Sequence, residues 1–260
     1  MKTLRRGSGP PLILVHGLGS SAETWSPVLD ALTAERSVVA VNLPGFGGTA
    51  ALTGDFTIAT LTDALAGWLA DESLGGAPLV GTSMGARMVL ELARRGLGGD
   101  VVALDPGGFW TPRQRTVFGA SIKASVALVR AIQPALPALA SHPAGRTALL
   151  AQFSAHPWSL PADVVLRELR GFTRAASPSL DAALRALVTG PLQEGAPRGT
   201  TPGRVTLGWG RHDKVTLPSQ ASRALELFPD ATLHRFDSSG HFPHWDQPTE
   251  AAELILASTS

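Results

Sequence analysis

The chain of 260 residues contains no cysteine and no tyrosine, and its formal net charge is only +1. The missing cysteines exclude disulfides, thiol nucleophiles and thiolate metal sites in one step, and they fit a reducing compartment. Without tyrosine, no phenol can act as an acid or donor in any reaction. The near-zero charge balance lacks the basic excess that nucleic acid or an anionic membrane selects. Long apolar runs are absent as well. The run Leu12–Val15 is far shorter than the roughly 7–15 residues of a signal peptide or the ~20 of a membrane helix. The expectation is a soluble, cytoplasmic protein with a small-molecule substrate, without nucleic-acid or membrane partners. Nothing in the composition sets an oligomeric state.

What is present is a globular composition, 44% hydrophobic and 17% charged, long enough to bury a sizeable core. Short apolar runs rich in β-branched residues recur at Leu12–His16, Ser37–Asn42, Leu79–Thr82, Val101–Asp105, Val205–Trp209 and Thr232–Phe236. None alternates with polar residues, as expected of strands covered on both faces. Helical spacing appears between them, at Ile58, Leu61, Leu65, Trp68 and Leu69, around Met88 and Leu92, and over about 218–227 and 248–257. Strands alternating with helices predict an α/β fold with a mainly parallel, doubly wound sheet and helices on both faces.

From about Phe109 to Thr200 the rhythm breaks. Alanine- and leucine-rich helical segments cut by prolines replace the strands, which predicts a helical cap, or lid, over residues 109–200. Residues 1–108 and 201–260 then form the core domain. The segment holds ten Lys and Arg against four Asp and Glu, and is expected to present a solvated basic face.

The chemistry centres on Gly81-Thr82-Ser83-Met84-Gly85, between a strand pattern and a helix pattern. A sharp strand-to-helix turn lifts Ser83 clear of the sheet, and crowded backbone there demands flanking glycines. The run Leu12–Gly19 is a buried strand ending in His-Gly. Its loop would supply the Leu18 N–H, and the elbow the Met84 N–H, as an oxyanion hole. His16 is expected to hold that turn. Downstream, Asp213 follows the strand Val205–Trp209 and His241 follows Thr232–Phe236, both where an open sheet gathers its site. His241 would take the Ser83 proton, and Asp213 would orient the ring. Asp105, at the end of another strand, is the alternative acid. His244 is expected at the surface or the pocket rim. No His-Glu-x-x-His, dinucleotide or phosphate-loop pattern occurs, so neither metal nor cofactor is expected.

These pieces together resemble the α/β-hydrolase superfamily over nearly the whole length. The matching segments are Leu14-Val15-His16-Gly17, Asn42-Leu43-Pro44-Gly45-Phe46-Gly47, the Ser83 pentapeptide, Gly208–Asp213 and Ser239–Pro243. The closest look is to capped bacterial esterases, cofactor-free perhydrolases and carbon–carbon bond hydrolases. The resemblance implies an eight-stranded sheet with its first strand missing or shortened here, and a cap between the sixth and seventh strands. It also implies a serine hydrolase with an acyl-enzyme intermediate. Esters of small or medium apolar acids are the expected substrates, with Trp110, Phe153, Trp158 and Phe172 as pocket walls. Carbon–carbon hydrolysis or perhydrolysis on the same triad is the alternative, and a non-catalytic ligand-binding protein a further one.

Overall fold

Five of the apolar runs become strands buried on both sides, and the sixth, Thr232–Phe236, forms a partly exposed edge strand. The computed structural model describes residues 1–174 and 178–259. Its strands are β1 (Lys2–Arg6), β2 (Pro11–Val15), β3 (Ser37–Asn42), β4 (Leu79–Thr82), β5 (Val101–Leu104), β6 (Val205–Gly210) and β7 (Thr232–Phe236). They form one seven-stranded sheet in the order β1-β3-β2-β4-β5-β6-β7. All neighbours are parallel except β1, which runs antiparallel to β3. Six strands match the apolar runs within a residue or two. The seventh, β1, went unread: Lys-Thr-Leu-Arg-Arg carries three charges and occupies an edge, where one side of the ladder faces solvent.

Helices cover both faces. They are α1 (Ser26–Thr33), α2 (Ile58–Asp71), α3 (Met84–Arg94), α4 (Pro112–Ala131), α5 (Leu136–Ser141), α6 (Pro143–Leu150), α7 (Ala162–Arg174), α8 (Pro178–Thr189), α9 (Gln220–Leu227), α10 (Pro243–Asp246) and α11 (Pro248–Ser258). Alternate residues of each strand point to opposite faces. Leu12, Leu14, Val38 and Ala40 pack with α1 and α11, whereas Ile13, Val15, Val39 and Val41 pack with α2, α3 and α9. Local chemistry sets the helix starts. Thr57 and Thr60 form a capping box before α2, and Thr111 and Gln114 form another before α4, with Pro112 in its first turn.

Helices α4–α8 all lie between β5 and β6. Counted against an eight-stranded sheet lacking its first strand, that is the sixth-to-seventh connection. Their buried residues, Phe118, Leu136, Leu169 and Leu184 among them, join the apolar cluster on the α2–α3 face. Among the described residues, no single helix is long and apolar enough to cross a membrane.

Candidate active site

The turn from β4 into α3 forces an unusual backbone. Ser83 has φ 56° and ψ −114°, a strained conformation for a residue with a side chain. Its N–H donates to the Leu104 carbonyl at 2.9 Å, locking the turn to β5. A methyl group on Gly81 would lie 2.4 Å from the Gly85 main chain, and one on Gly85 would lie 2.3 Å from the Val15 carbonyl oxygen. Only glycine fits at either place, and the result is a half-buried Ser83 hydroxyl at the carboxyl edge of the sheet.

Two loops bring partners to it. His241, in the loop after β7, places Nε2 2.9 Å from Ser83 Oγ and Nδ1 2.9 Å from Asp213 Oδ2. The network fits a ring protonated at Nδ1, which donates to Asp213 while Nε2 accepts from the serine hydroxyl. Asp213 is itself saturated. Its Oδ1 accepts from the N–H groups of Val215 (2.7 Å) and Thr216 (3.1 Å), and its Oδ2 also accepts from Thr216 Oγ1 at 2.6 Å. Burial alone would raise the Asp213 carboxyl, but the His241 ring and these donors overcome it and hold the group below the usual range. Asp105 closes β5 one strand away, fully buried, and its Oδ1 accepts from the Gly210 N–H at 3.0 Å. The ligand-type atoms of Asp105, Asp213 and His241 fall within 4.8 Å of one another. Asp213 and His241 spend theirs on each other and on Ser83 and Thr216, so this cluster reads as a hydrogen-bond chain.

Near Ser83, the main-chain N–H groups of Leu18 and Met84 donate to no other group among the described residues. Met84 opens α3, so its N–H adds to the positive end of that helix dipole. Gly17 follows the Leu18 loop's lead strand, and a side chain there would press on Ser83 at 3.1 Å. His16 holds this loop: its Nδ1 meets the Gly17 carbonyl at 2.7 Å, and its Nε2 accepts from the Leu43 N–H at 3.1 Å. Burial drives His16 down to about 4, only partly offset by the Gly17 carbonyl, so the ring is neutral.

His244 differs from expectation. It lies neither at the surface nor on a rim but fully buried, its ring 4.6 Å from Trp25 and its Nε2 3.3 Å from Thr24 Oγ1. The short helix α10 turns it inward between these two residues. Burial, then the neighbouring His241 ring, pushes it down to about 3.

The four aromatic wall candidates separate. Phe153 and Phe172 approach each other, ring centroids 6.5 Å apart. The Phe153 carbonyl accepts from the His241 N–H at 2.8 Å, and the Phe172 ring lies against Gly19 in the Leu18 loop. Trp110 is buried, stacked on Phe118 at 4.7 Å, while Trp158 is half exposed against His156. Phe153 and Phe172 line a cavity of about 230 Å³ between α4, α6 and α7. A larger cleft of about 660 Å³ runs beside Gly19 and the Gly45–Gly48 turn, under Arg167 and Arg170. The walls of neither cavity include Ser83 or His241.

Two contributors escaped sequence reasoning. Thr216 stands three residues after Asp213, a spacing that allows a side-chain-to-backbone turn and was legible in principle. Asp246 gave no signal. It accepts from the Gly240 N–H at 2.7 Å, from the Ala155 N–H at 2.8 Å and from the Ser154 hydroxyl, stitching the His241 loop to the 109–200 helices.

Comparison with known proteins agrees with this architecture. Across its full length the chain is similar to an uncharacterized protein of Mycobacterium tuberculosis (strain ATCC 25618 / H37Rv), 28% identical over 96% of this chain and 75% of that protein. Among solved structures it is similar to a thermophilic esterase from Thermogutta terrifontis, with TM-score 0.77, 20% identity and coverage of 98% and 91% of the two chains. It is also similar to the enol-lactonase from Burkholderia xenovorans LB400, with TM-score 0.75, 19% identity and coverage of 98% and 93%. At these identities the two structures speak for the fold. Residues 12–254 match the model of the alpha/beta hydrolase family, and the chain belongs to that family.

Proposed function

We propose that the protein is a serine hydrolase acting on carboxylic esters of small or medium apolar acids. One observation carries the reading: an unbroken hydrogen-bonded line from Ser83 through His241 to Asp213, 2.9 Å at each step, with two undonated N–H groups beside the serine. In this reading Ser83 Oγ attacks the ester carbonyl carbon while His241 Nε2 takes the hydroxyl proton. The N–H groups of Leu18 and Met84 receive the developing oxyanion. His241 then protonates the departing alcohol, leaving an acyl-Ser83 ester, and a water molecule activated by the same ring releases the acid. Asp213 keeps the ring in the required tautomer and stabilises its charged form.

Residues 109–200 act here as a cap that selects the acyl group. The cavity behind Phe153 and Phe172 is about 230 Å³. A cavity of about 150 Å³ accepts a benzene-sized group, so this one suits a chain of a few more carbons. Its polar lining is already engaged, since Ser125 donates to Gln152 Oε1 and Gln152 donates to Ser121. The remaining walls favour an apolar acyl chain over a charged one.

The test is labelling with a fluorophosphonate probe, site mapping by mass spectrometry and turnover of acetate, butanoate and hexanoate esters. Covalent label on Ser83, abolished in Ser83→Ala, with butanoate or hexanoate preferred, is the expected result. Label elsewhere would overturn the nucleophile. Label at Ser83 without ester turnover would move the reaction to carbon–carbon hydrolysis or perhydrolysis on the same residues.

A further inference from the structure

Two carboxyl groups stand behind His241 where one suffices to orient a ring. Asp213 receives four donors: the N–H groups of Val215 and Thr216, the Thr216 hydroxyl and His241 Nδ1. Asp105 receives one, the Gly210 N–H, and its Oδ2 is buried with no donor facing it among the described residues. The acidic groups acting most strongly on Asp105 are Asp213 and Asp246, with His241 beyond Asp213. Two buried carboxylates side by side cannot both stay ionised, because each destabilises the other's charge. Between two acceptor-only ions no hydrogen bond exists, and a single proton creates one. The donors decide where that proton sits. Asp213 has the partners a negative charge needs, whereas Asp105 Oδ2 is buried with no protein donor facing it among the described residues and could take part in a hydrogen bond to Asp213 by carrying the proton.

We propose that Asp105 carries a proton at neutral pH and donates it to the Asp213 carboxylate, so that the two acids behind His241 hold one negative charge between them. The inference deepens the serine-hydrolase reading and rests on it for its catalytic consequence. Thr216 Oγ1 also reaches the Asp105 main-chain carbonyl at 3.2 Å, so its hydroxyl can turn aside and leave a lone pair on Asp213 for the new donor. Burial, then the Asp213 charge, pushes the Asp105 carboxyl well above its ordinary value, while Asp213 lies below its own. Asp105 acts as a positioning residue. Its hydrogen bond fixes the plane of Asp213 and shares its charge, which lowers the pull of Asp213 on the His241 proton.

The consequence for stability has a definite sign. Folded Asp105 keeps a proton that the unfolded chain releases above about pH 4. The folded state therefore binds more protons there, and stability falls as pH rises. Asparagine at 105 supplies a neutral N–H donor in the same place and tolerates the left-handed backbone, φ 47°. The experiment compares wild type, Asp105→Asn and Asp105→Ala at pH 5 and pH 8. Asp105→Asn should gain Tm relative to wild type between pH 5 and pH 8. A difference infrared spectrum at pH 7 should show a protonated carboxyl band lost in that variant. Asp105→Ala should lose kcat/KM about 100-fold, with its acid limb displaced to higher pH, and Asp105→Asn should recover at least tenfold of that loss. A difference spectrum without that band, or a Tm advantage of Asp105→Asn over wild type that does not grow from pH 5 to pH 8, would overturn the proposal. Melting and infrared readouts need no turnover, so a failure of Ser83 labelling sinks the hydrolase reading separately.

Discussion

The turn that carries Ser83 and the middle of α4 restrain their residues by different means. At the carboxyl edge of the sheet, backbone meets backbone: a methyl group on Gly85 would strike the Val15 carbonyl oxygen at 2.3 Å. On α4, a methyl on Gly119 would meet only the Val188 side chain, at 2.9 Å. The sheet half places Ser83, Asp213 and His241 through main-chain hydrogen bonds and glycines without slack. The 109–200 helices instead carry the three most exposed large apolar side chains, Val117, Leu128 and Trp158. Reacting groups must hold sub-ångström geometry, whereas a pocket wall needs only the right shape. If the proposed function holds, chemistry and selectivity should be separately alterable here.

The largest expected effect separates the two outright. Ser83→Ala should lower kcat by roughly 10⁴–10⁶-fold with Tm nearly unchanged, since the hydroxyl supports no core packing. Retained ester turnover in that variant would dissolve the contrast at its root. Next come the glycines. Gly85→Ala should cost about 3 kcal/mol or more, because neither carbonyl it meets can move, while Gly119→Ala should stay within about 1 kcal/mol as helix propensity offsets the Val188 contact. Chemical denaturation of both variants measures this, and equal costs would refute the difference in restraint.

Stability against pH sharpens the comparison further. His16 and His244, in the sheet half, are neutral when folded, held at about 4 and about 3. The unfolded chain protonates them below about pH 6.5, so stability should fall by several kcal/mol as pH drops from 6.5 toward 4. Glu168, on α7, runs the other way. Burial, outweighing a 2.8 Å bond from the Ser20 hydroxyl, raises it to about 7. Its folded form keeps a proton the unfolded chain loses above about 4.5, so stability should fall as pH rises from 4.5 to 7. Glu168→Gln should reduce that limb, leaving the share of Asp105, without touching the acid limb of the histidines; Tm measured from pH 4 to 8 in wild type and variant decides it.

A smaller effect is expected among the 109–200 helices. Leu149→Trp would fill the cavity of about 230 Å³ proposed for the acyl chain and should lower hexanoate kcat/KM about tenfold relative to acetate. A parallel loss on both esters would place the acyl chain elsewhere. The smallest effect concerns the basic excess of residues 109–200. Arg130 pairs with Asp181, and Arg167 with Glu23 and Asp163, while Arg115 and Arg146 donate to main-chain carbonyls. Anionic and neutral esters of equal size should therefore respond to salt within about twofold of each other. A selective loss of the anionic ester at high salt would turn the solvated face into a steering surface.

Much of this molecule was legible before any coordinates. Strands β2 to β6, buried on both faces, announce themselves as continuous apolar runs, and the partly exposed edge strand β7 was readable within a residue or two as well. The edge strand β1 was not, because pairing along one side asks nothing apolar of Lys2, Arg5 or Arg6. His244 misled for a related reason. Its burial comes from Trp25 and Thr24, more than two hundred residues away in sequence, and no local pattern records such contacts. Trp110 and Trp158 share a helical segment, yet one is core and the other half exposed.

The sequence by itself determined the order of Ser83, Asp213 and His241 at strand ends and the glycines that make the elbow possible. These follow from local sterics: a strand must stop, a turn must fit, and a side chain without room is excluded. Which acid faces His241 was decided only by the tertiary structure. Asp105 and Asp213 both follow strands, and the sequence favoured Asp213 while leaving Asp105 as the alternative. The order β5-β6-β7 sets the β6 loop beside the loop of β7, so Asp213 reaches Nδ1 and Asp105 is held one strand behind it. The physical reason is that hydrogen bonds spanning 28 and 158 residues exist only once the sheet has fixed its neighbours.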